Sequence, residues 1–151
     1  MNEVMFSSKS DIWETPQGLF DKLNSEFGFT LDVAALPDNA KCPSYYTPKD
    51  DGLIKPWTGT IWCNPPYGRT VGNWVRKAYE TSLNGVTVVM LLPARTDTKW
   101  FHDFIYGKAE VRFLRGRLKF GGSKNSAPFP SMIVVFNGGN TNAEALPVLR
   151  K

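Results

Sequence analysis

The chain is short of the residues from which small proteins build metal centres and disulfide staples. It has two cysteines, Cys42 and Cys63, and one histidine, His102. The cysteines form no C-x-x-C pair, so a zinc-ligand set is not expected. Both thiols are expected to be reduced and packed. His102 has no serine or cysteine nucleophile signature near it, which argues against a hydrolase triad. No apolar run reaches the ~20 residues that a membrane span needs. The amino-terminal "MNEVMFSSKSDIWETP" has no apolar signal-peptide core. No membrane partner and a cytoplasmic location are the resulting expectations.

What is present fits one globular domain over 1–151, with a core at about 13–137. At 151 residues, 42% hydrophobic and 21% charged, the chain can bury a core without staples. The net charge of +4 is a mild basic bias that permits a polyanionic partner without requiring one. The positive charge thickens at Arg112, Arg115, Arg117, Lys119 and Lys124, all within thirteen residues. Five tryptophans give many flat rings, most of them expected in the core.

Strands alternate with helices along the chain. "TPQGLFDKLNSEFG" reads as a helix with Thr15 as N-cap, Pro16 at its first position and Gly28 as its stop. "FTLDVAA" is a short buried strand ending near Asp32, and a further strand is placed near residues 44–46. "GTIWCNPPY" is a strand, with Trp62 more suited to the core than to a site, and "NWVRKAYETSL" is helical. "GVTVVMLLPA" is a continuous apolar run, as expected of a strand buried on both faces. "TDTKWFHDFIYG" reads as a helix capped by Thr96 or Asp97, and "AEVRFL" and "SMIVVF" as strands. The segment before Trp13 is expected to be loosely held, and the tail after Asn137 polar and irregular. The alternation predicts an α/β domain with a mainly parallel sheet flanked by helices. Such sheets bind ligands at the carboxyl ends of their strands. Asp32, Asn64 and Pro93 are each predicted at such an end.

The most informative stretch is "CNPPYG". The Asn64 amide oxygen accepts hydrogen bonds. Pro65 keeps its carbonyl, Pro66 stiffens that carbonyl's position, and a residue before proline is extended. Two acceptors at fixed spacing, with the Tyr67 ring beside them, suit a planar base carrying an exocyclic amino group. Such a nitrogen is a poor nucleophile because its lone pair is delocalised into the ring. Accepting both of its protons draws it towards tetrahedral geometry and frees the lone pair to attack a methyl group. Adenine and cytosine both meet this description.

"NPPY" after a strand resembles the catalytic motif of amino-group methyltransferases that use S-adenosylmethionine. "WETPQGLF", "LDVAA", "CNPPYG", "LLPARTDTKWFH", "FLRGRLKF" and "PFPSMIVVF", in that order, resemble the small phage-type DNA adenine-N6 methyltransferases (Dam-like) over residues 13–136. The resemblance implies a Rossmann-like methyltransferase fold in a bacterial host cell, with DNA as substrate and S-adenosylmethionine as cofactor. It places Asn64, Pro65, Pro66 and Tyr67 in the catalytic loop. It places Trp13, Thr15, Pro16 and Asp32 at the cofactor. The glycine-rich loop usual after the first strand is absent, and small Ala34 and Ala35 stand in its place. Asp50 and Asp51 are balanced between cofactor contacts and turn residues.

For DNA, Arg69, Arg95, Arg115, Arg117, Lys119 and Lys124 are expected to hold phosphates or substrate. Phe120 or Phe129 is expected to stack on, or support, a flipped base. Little chain remains for a separate recognition domain, so short or relaxed specificity is expected, with a homodimer able to supply further DNA surface. Cytosine N4, amino groups of RNA bases and glutamine side chains remain open as acceptors. A catalytically idle nucleic-acid-binding subunit is the alternative from another class.

Overall fold

Successive residues of a strand point to opposite faces of its sheet, and this chain uses that alternation to build two cores. A computed structural model describes residues 12–139. In chain order the elements are α1 (Gln17–Phe27), β1 (Leu31–Asp32), β2 (Ser44–Tyr45), β3 (Thr60–Cys63), α2 (Val71–Ser82), β4 (Thr87–Pro93), a π-helical turn (Phe101–Ile105), β5 (Glu110–Phe113) and β6 (Ser131–Phe136). The amino-terminal segment up to residue 11 and the tail from residue 140 lie outside the described residues.

The six strands form one sheet in the order β2-β1-β3-β4-β6-β5. β2, β1, β3 and β4 pair in parallel, whereas β6 is antiparallel to both β4 and β5. β5 therefore runs with β1 to β4, and β6 alone is reversed. The α/β class is as expected, but the sheet is mixed and its helices are few. The reason lies in residues 114–130, which contain no helix. A parallel return beside β5 needs a crossover connection, usually helical, so the chain comes back antiparallel.

On one face Ile61, Cys63, Val88, Met90, Leu92, Met132, Val134 and Phe136 pack with Val71, Trp74, Val75 and Ala78 of α2 and with Phe101 and Ile105. On the other, Trp62, Val89, Leu91, Ile133 and Val135 pack with Phe20 and Leu23 of α1 and with Phe120. Trp62 is thus a core residue, as its alternation suggested.

Local capping differs from the sequence reading at two points. Thr15 does not cap α1: Pro16 occupies the N-cap position with extended dihedrals and there is no side-chain cap. Gly28 does end α1, at φ 70°, where a Cβ would be strained, and its N–H donates to the Asn24 carbonyl. The segment after β4 is not a regular α-helix. The Tyr106 N–H donates to the Phe101 carbonyl at 2.8 Å, five residues back, and this wider turn places both Phe101 and Ile105 in the core. Neither Thr96 nor Asp97 caps it: Trp100 is at the N-cap position with no side-chain cap, and the Thr98 hydroxyl accepts from the Phe101 N–H at 3.3 Å.

Arg112 ties α1 to β5. Its guanidinium donates to both Glu26 carboxylate oxygens at 2.7 and 2.8 Å and to Glu110 at 2.7 Å. The Arg112 hydrogen bond holds the Glu26 carboxyl below its usual range. No helix among the described residues is long and apolar enough to cross a membrane.

Phe20 is the anchor of α1: it is buried, with its ring edge-on to Trp62 at 5.5 Å and 5.5 Å from Phe29. Phe20→Ala should lower the unfolding free energy by about 3–5 kcal/mol in a urea titration. A loss under about 1 kcal/mol would mean that α1 is held by something other than this contact.

Candidate active site

Parallel strands place their carboxyl ends on one edge of the sheet, and loops leaving that edge surround a crevice. Asp32 ends β1, Asn64 follows β3, and Pro93 ends β4. The reversed strand β6 begins at the same edge, with Ser131 opposite Pro93 and the Ala94 N–H donating to the Pro130 carbonyl at 2.8 Å. The loop over 114–130 therefore leaves β5 and returns to β6 on the rim of the crevice.

A cavity of about 390 Å³ opens beside the ends of β1 and β3. Its lining brings together Trp13, Thr15, Asp32, Ala34, Asp51, Asn64, Pro65 and Pro66, all selected from the sequence. Pro16 does not line it. The size is that of a small-ligand pocket.

The Asn64 amide is held in one orientation. Its Nδ2 donates to the Trp13 carbonyl and, at 3.0 Å, to the Thr15 hydroxyl. A carbonyl can only accept, so the NH2 must face Trp13 and the amide cannot be turned over. The Asn64 Oδ1 on the opposite side is buried and has no partner. An unsatisfied buried acceptor costs about 1–3 kcal/mol. The site therefore holds an acceptor whose hydrogen-bonding capacity no group of the protein meets.

Asp32 is 3% exposed, and its carboxylate accepts from the Ala34 N–H at 3.3 Å and the Lys41 N–H at 3.0 Å. These bonds fold residues 33–41 around the cavity. Burial raises the Asp32 carboxyl above its usual range, against the lowering effect of the two backbone donors and the nearby Lys41 charge. Burial also pushes the Cys42 thiol up to about 11 and the Cys63 thiol well above its ordinary value, with the Asp32 charge adding to both. Neither is poised as a thiolate nucleophile.

Asp50 and Asp51 separate. Asp50 is a turn residue, accepting from the Thr47 N–H at 2.8 Å and the Thr47 hydroxyl at 3.2 Å. Asp51 lines the cavity from a left-handed backbone at φ 59°. Its neighbour Gly52, which also lines the cavity, was not selected from the sequence, yet it has no room for a side chain. A Cβ there would lie 2.2 Å from the Val33 carbonyl oxygen and 3.1 Å from the Trp74 ring. Gly52 thus lets its loop pack against Val33 and Trp74. Its signal was the "DDGL" stretch itself, a glycine beside paired aspartates. Trp74 and Thr70, at the start of α2, were also missed as lining residues.

Tyr67 departs from expectation. The ring is 5% exposed and does not line the cavity, and its hydroxyl donates to the Leu91 carbonyl at 3.0 Å. It meets Phe120 and Phe129 edge-on, with centroids at 6.4 and 5.6 Å. Trp13 joins the same cluster, 5.3 Å from Phe120 and 5.1 Å from Phe129. Here Tyr67 offers no open face for a base. Four apolar rings close over one another because that removes more surface from water than separate exposure. Phe120 is likewise buried, which leaves it a supporting position and no stacking face, while Phe129 is half-buried.

Arg69, Arg95, Arg115, Arg117, Lys119 and Lys124 are exposed. Arg117 reaches the Ala127 carbonyl at 3.4 Å, across the base of its own loop. Arg112, which belonged to the same basic stretch, is committed to Glu26 and Glu110 instead.

A family model described as DNA N-6-adenine-methyltransferase (Dam) matches residues 4–146. The chain is 31% identical over 138 residues to the DNA N-6-adenine-methyltransferase of Haemophilus phage HP1 (strain HP1c1), covering 85% of this chain and 80% of that protein. It is 33% identical over 112 residues to the DNA N-6-adenine-methyltransferase of Escherichia phage T1, covering 72% of this chain and 46% of that protein. The family match takes in every wall of the cavity as well as the Asn-Pro-Pro-Tyr loop, and the chain belongs to the DNA N-6-adenine-methyltransferase (Dam) family.

Proposed function

We propose that this protein binds S-adenosylmethionine in the cavity and methylates the exocyclic N6 of a flipped adenine in DNA, on a Rossmann-like methyltransferase fold. Family membership makes it an enzyme of adenine-N6 DNA methylation that draws on a methyl donor. The observation that carries the reading is Asn64, a lining residue of the cavity whose Oδ1 is buried and has no partner.

The residues fit a cationic donor. The cavity sets one buried carboxylate, Asp32, in a lining of mixed polarity, and burial has already raised the energy of its charge. A cation entering that space offsets this cost. When bound, S-adenosylmethionine supplies an electrophilic methyl group on a sulfonium centre. Asn64 Oδ1 and the Pro65 carbonyl accept the two amino hydrogens of the base and release the nitrogen lone pair. An acceptor fixed in advance, as the Asn64 amide is by Trp13 and Thr15, needs little reorganisation at the transition state. Asp32 holds the loop over 33–41 and is not the base. The proton leaves to water during or after transfer. The adenine must leave the duplex for its amino group to reach this depth. Tyr67 anchors the loop through Leu91, and stacking on the base would require the Phe129 side of the cluster to open. The exposed Arg115, Arg117 and Lys119 hold DNA phosphates on the rim, with Arg69 and Arg95 near it. Trp13, Thr15, Ala34 and Asp51 enclose the donor. A host-cell cytoplasm is the proposed location, and a homodimer the proposed assembly.

Asn64→Ala should leave donor binding intact by calorimetry and lower turnover by about a hundredfold or more. The product is read by nucleoside mass spectrometry with isotopically labelled S-adenosylmethionine, unmethylated DNA and parallel RNA. Label at adenine N6 in DNA supports the reading. Label on cytosine or RNA would change the substrate, and an active Asn64→Ala protein would sink the mechanism.

Donor affinity should also depend on pH. A cation favours ionised Asp32, so affinity rises as pH climbs through the raised Asp32 pKa and falls again in acid. Asp32→Asn should bind weakly with a flat profile. An unchanged slope in that variant would assign the titration elsewhere.

Replacing Arg115, Arg117 and Lys119 together by alanine should reduce the slope of log affinity for DNA against log salt by about 3. An unaltered slope would move the phosphate contacts to another surface.

A further inference from the structure

We propose that Thr15 is a positioning residue for the catalytic amide, orienting Asn64 in addition to enclosing the donor. The inference rests on the role of Asn64 set out above. Thr15 is 5% exposed, does not cap α1, and accepts from Asn64 Nδ2 at 3.0 Å. Its burial and its hydroxyl are otherwise unexplained by the fold.

The chemistry needs an oxygen, not an NH2, facing the substrate amino group. An asparagine amide has nearly the same shape both ways round, so packing alone cannot choose. Here both amide hydrogens have acceptors on one side, the Trp13 carbonyl and the Thr15 hydroxyl. No N–H is left to meet the substrate, and Oδ1 is left without a partner. Two acceptors also define a plane, which fixes the rotation of the amide as well as its direction. One acceptor alone would leave it free to swing about that bond.

The clamp is itself held from outside. The Glu14 carbonyl, between the two acceptors in sequence, accepts from the Gly121 N–H at 2.9 Å. The Trp13 ring lies against Phe120 and Phe129. The segment that orients Asn64 is therefore fastened to the basic loop over 114–130. The side-chain contact from Thr15 is the part of this arrangement that substitution can remove without disturbing the backbone.

The test compares Thr15→Val, which keeps the shape and removes the acceptor, with Thr15→Ser, which keeps the hydroxyl. Thr15→Val should lower kcat about tenfold to a hundredfold while donor affinity stays within about twofold, and Thr15→Ser should restore most of kcat. In NMR spectra, the Asn64 side-chain NH2 signals, assigned by their loss in Asn64→Ser, should exchange faster with water in Thr15→Val and as in wild type in Thr15→Ser. Unchanged kcat, a loss confined to donor affinity, failure of serine to rescue, or unaltered Asn64 signals would each overturn the proposal. The amide signals are read without turnover, so they decide the orientation even if the wild-type protein proves inactive on adenine; that second result would instead strike at the role of Asn64.

Discussion

The architecture turns on the end of β3. This strand is hydrogen-bonded on both edges, to β1 and β4, and Ile61, Trp62 and Cys63 are fully buried between the two cores. A strand paired on both sides and packed on both faces cannot shift without breaking several contacts at once. The residue that follows it is therefore delivered to a fixed point. Two prolines then restrict where the chain can go next. Asn64 is held on its backbone by the sheet and on its side chain by the Trp13 carbonyl and Thr15. That double constraint allows a buried acceptor to remain unpaired without collapsing onto a neighbour.

Around this point the loops divide the work by polarity. The inner wall is apolar or uses its polar groups to hold backbone, as Asp32 does with the Ala34 and Lys41 N–H groups. The exposed Arg69, Arg95, Arg115, Arg117, Lys119 and Lys124 sit outside, in the turn after β3, the segment after β4 and the loop between β5 and β6. Such a division suits a reaction in which a polyanion docks at the surface while one base enters a dry pocket. Charge is effective where water must be displaced over a wide area, and preorganised neutral acceptors are effective where water is excluded.

The aromatic cluster joins these layers. Trp13, Tyr67, Phe120 and Phe129 come from three separate segments: the stretch before α1, the Asn-Pro-Pro-Tyr loop and the basic loop. Rings in edge contact transmit position because a shift of one uncovers apolar surface on the others. Tyr67 also closes a hydrogen bond to the Leu91 carbonyl of β4. The Asn-Pro-Pro-Tyr loop is thereby braced against the strand beside it as well as against the basic loop.

The order of elements, the stop of α1 at Gly28, the buried character of β4 and the gathering of Asp32 and Asn64 on one edge could all be read from the chain, because periodicity, prolines and glycines act over a few residues. The direction of β6 could not, since it depends on a connection that merely lacks a helix. Nor could the role of Thr15: a threonine before Pro-Gln-Gly has the local grammar of a cap, and only the arrival of Asn64, 49 residues later, claims its hydroxyl. Gly52 needed the Val33 carbonyl and Trp74 to show why it has no side chain. Tyr67 looked available for stacking until two phenylalanines from a distant loop covered it. By itself the sequence determined which groups are able to carry the proposed chemistry, because the character of an acceptor or a stiff backbone belongs to the residue. Tertiary structure decided which of them are paired, covered or left open, because burial and hydrogen bonding depend on partners far away along the chain.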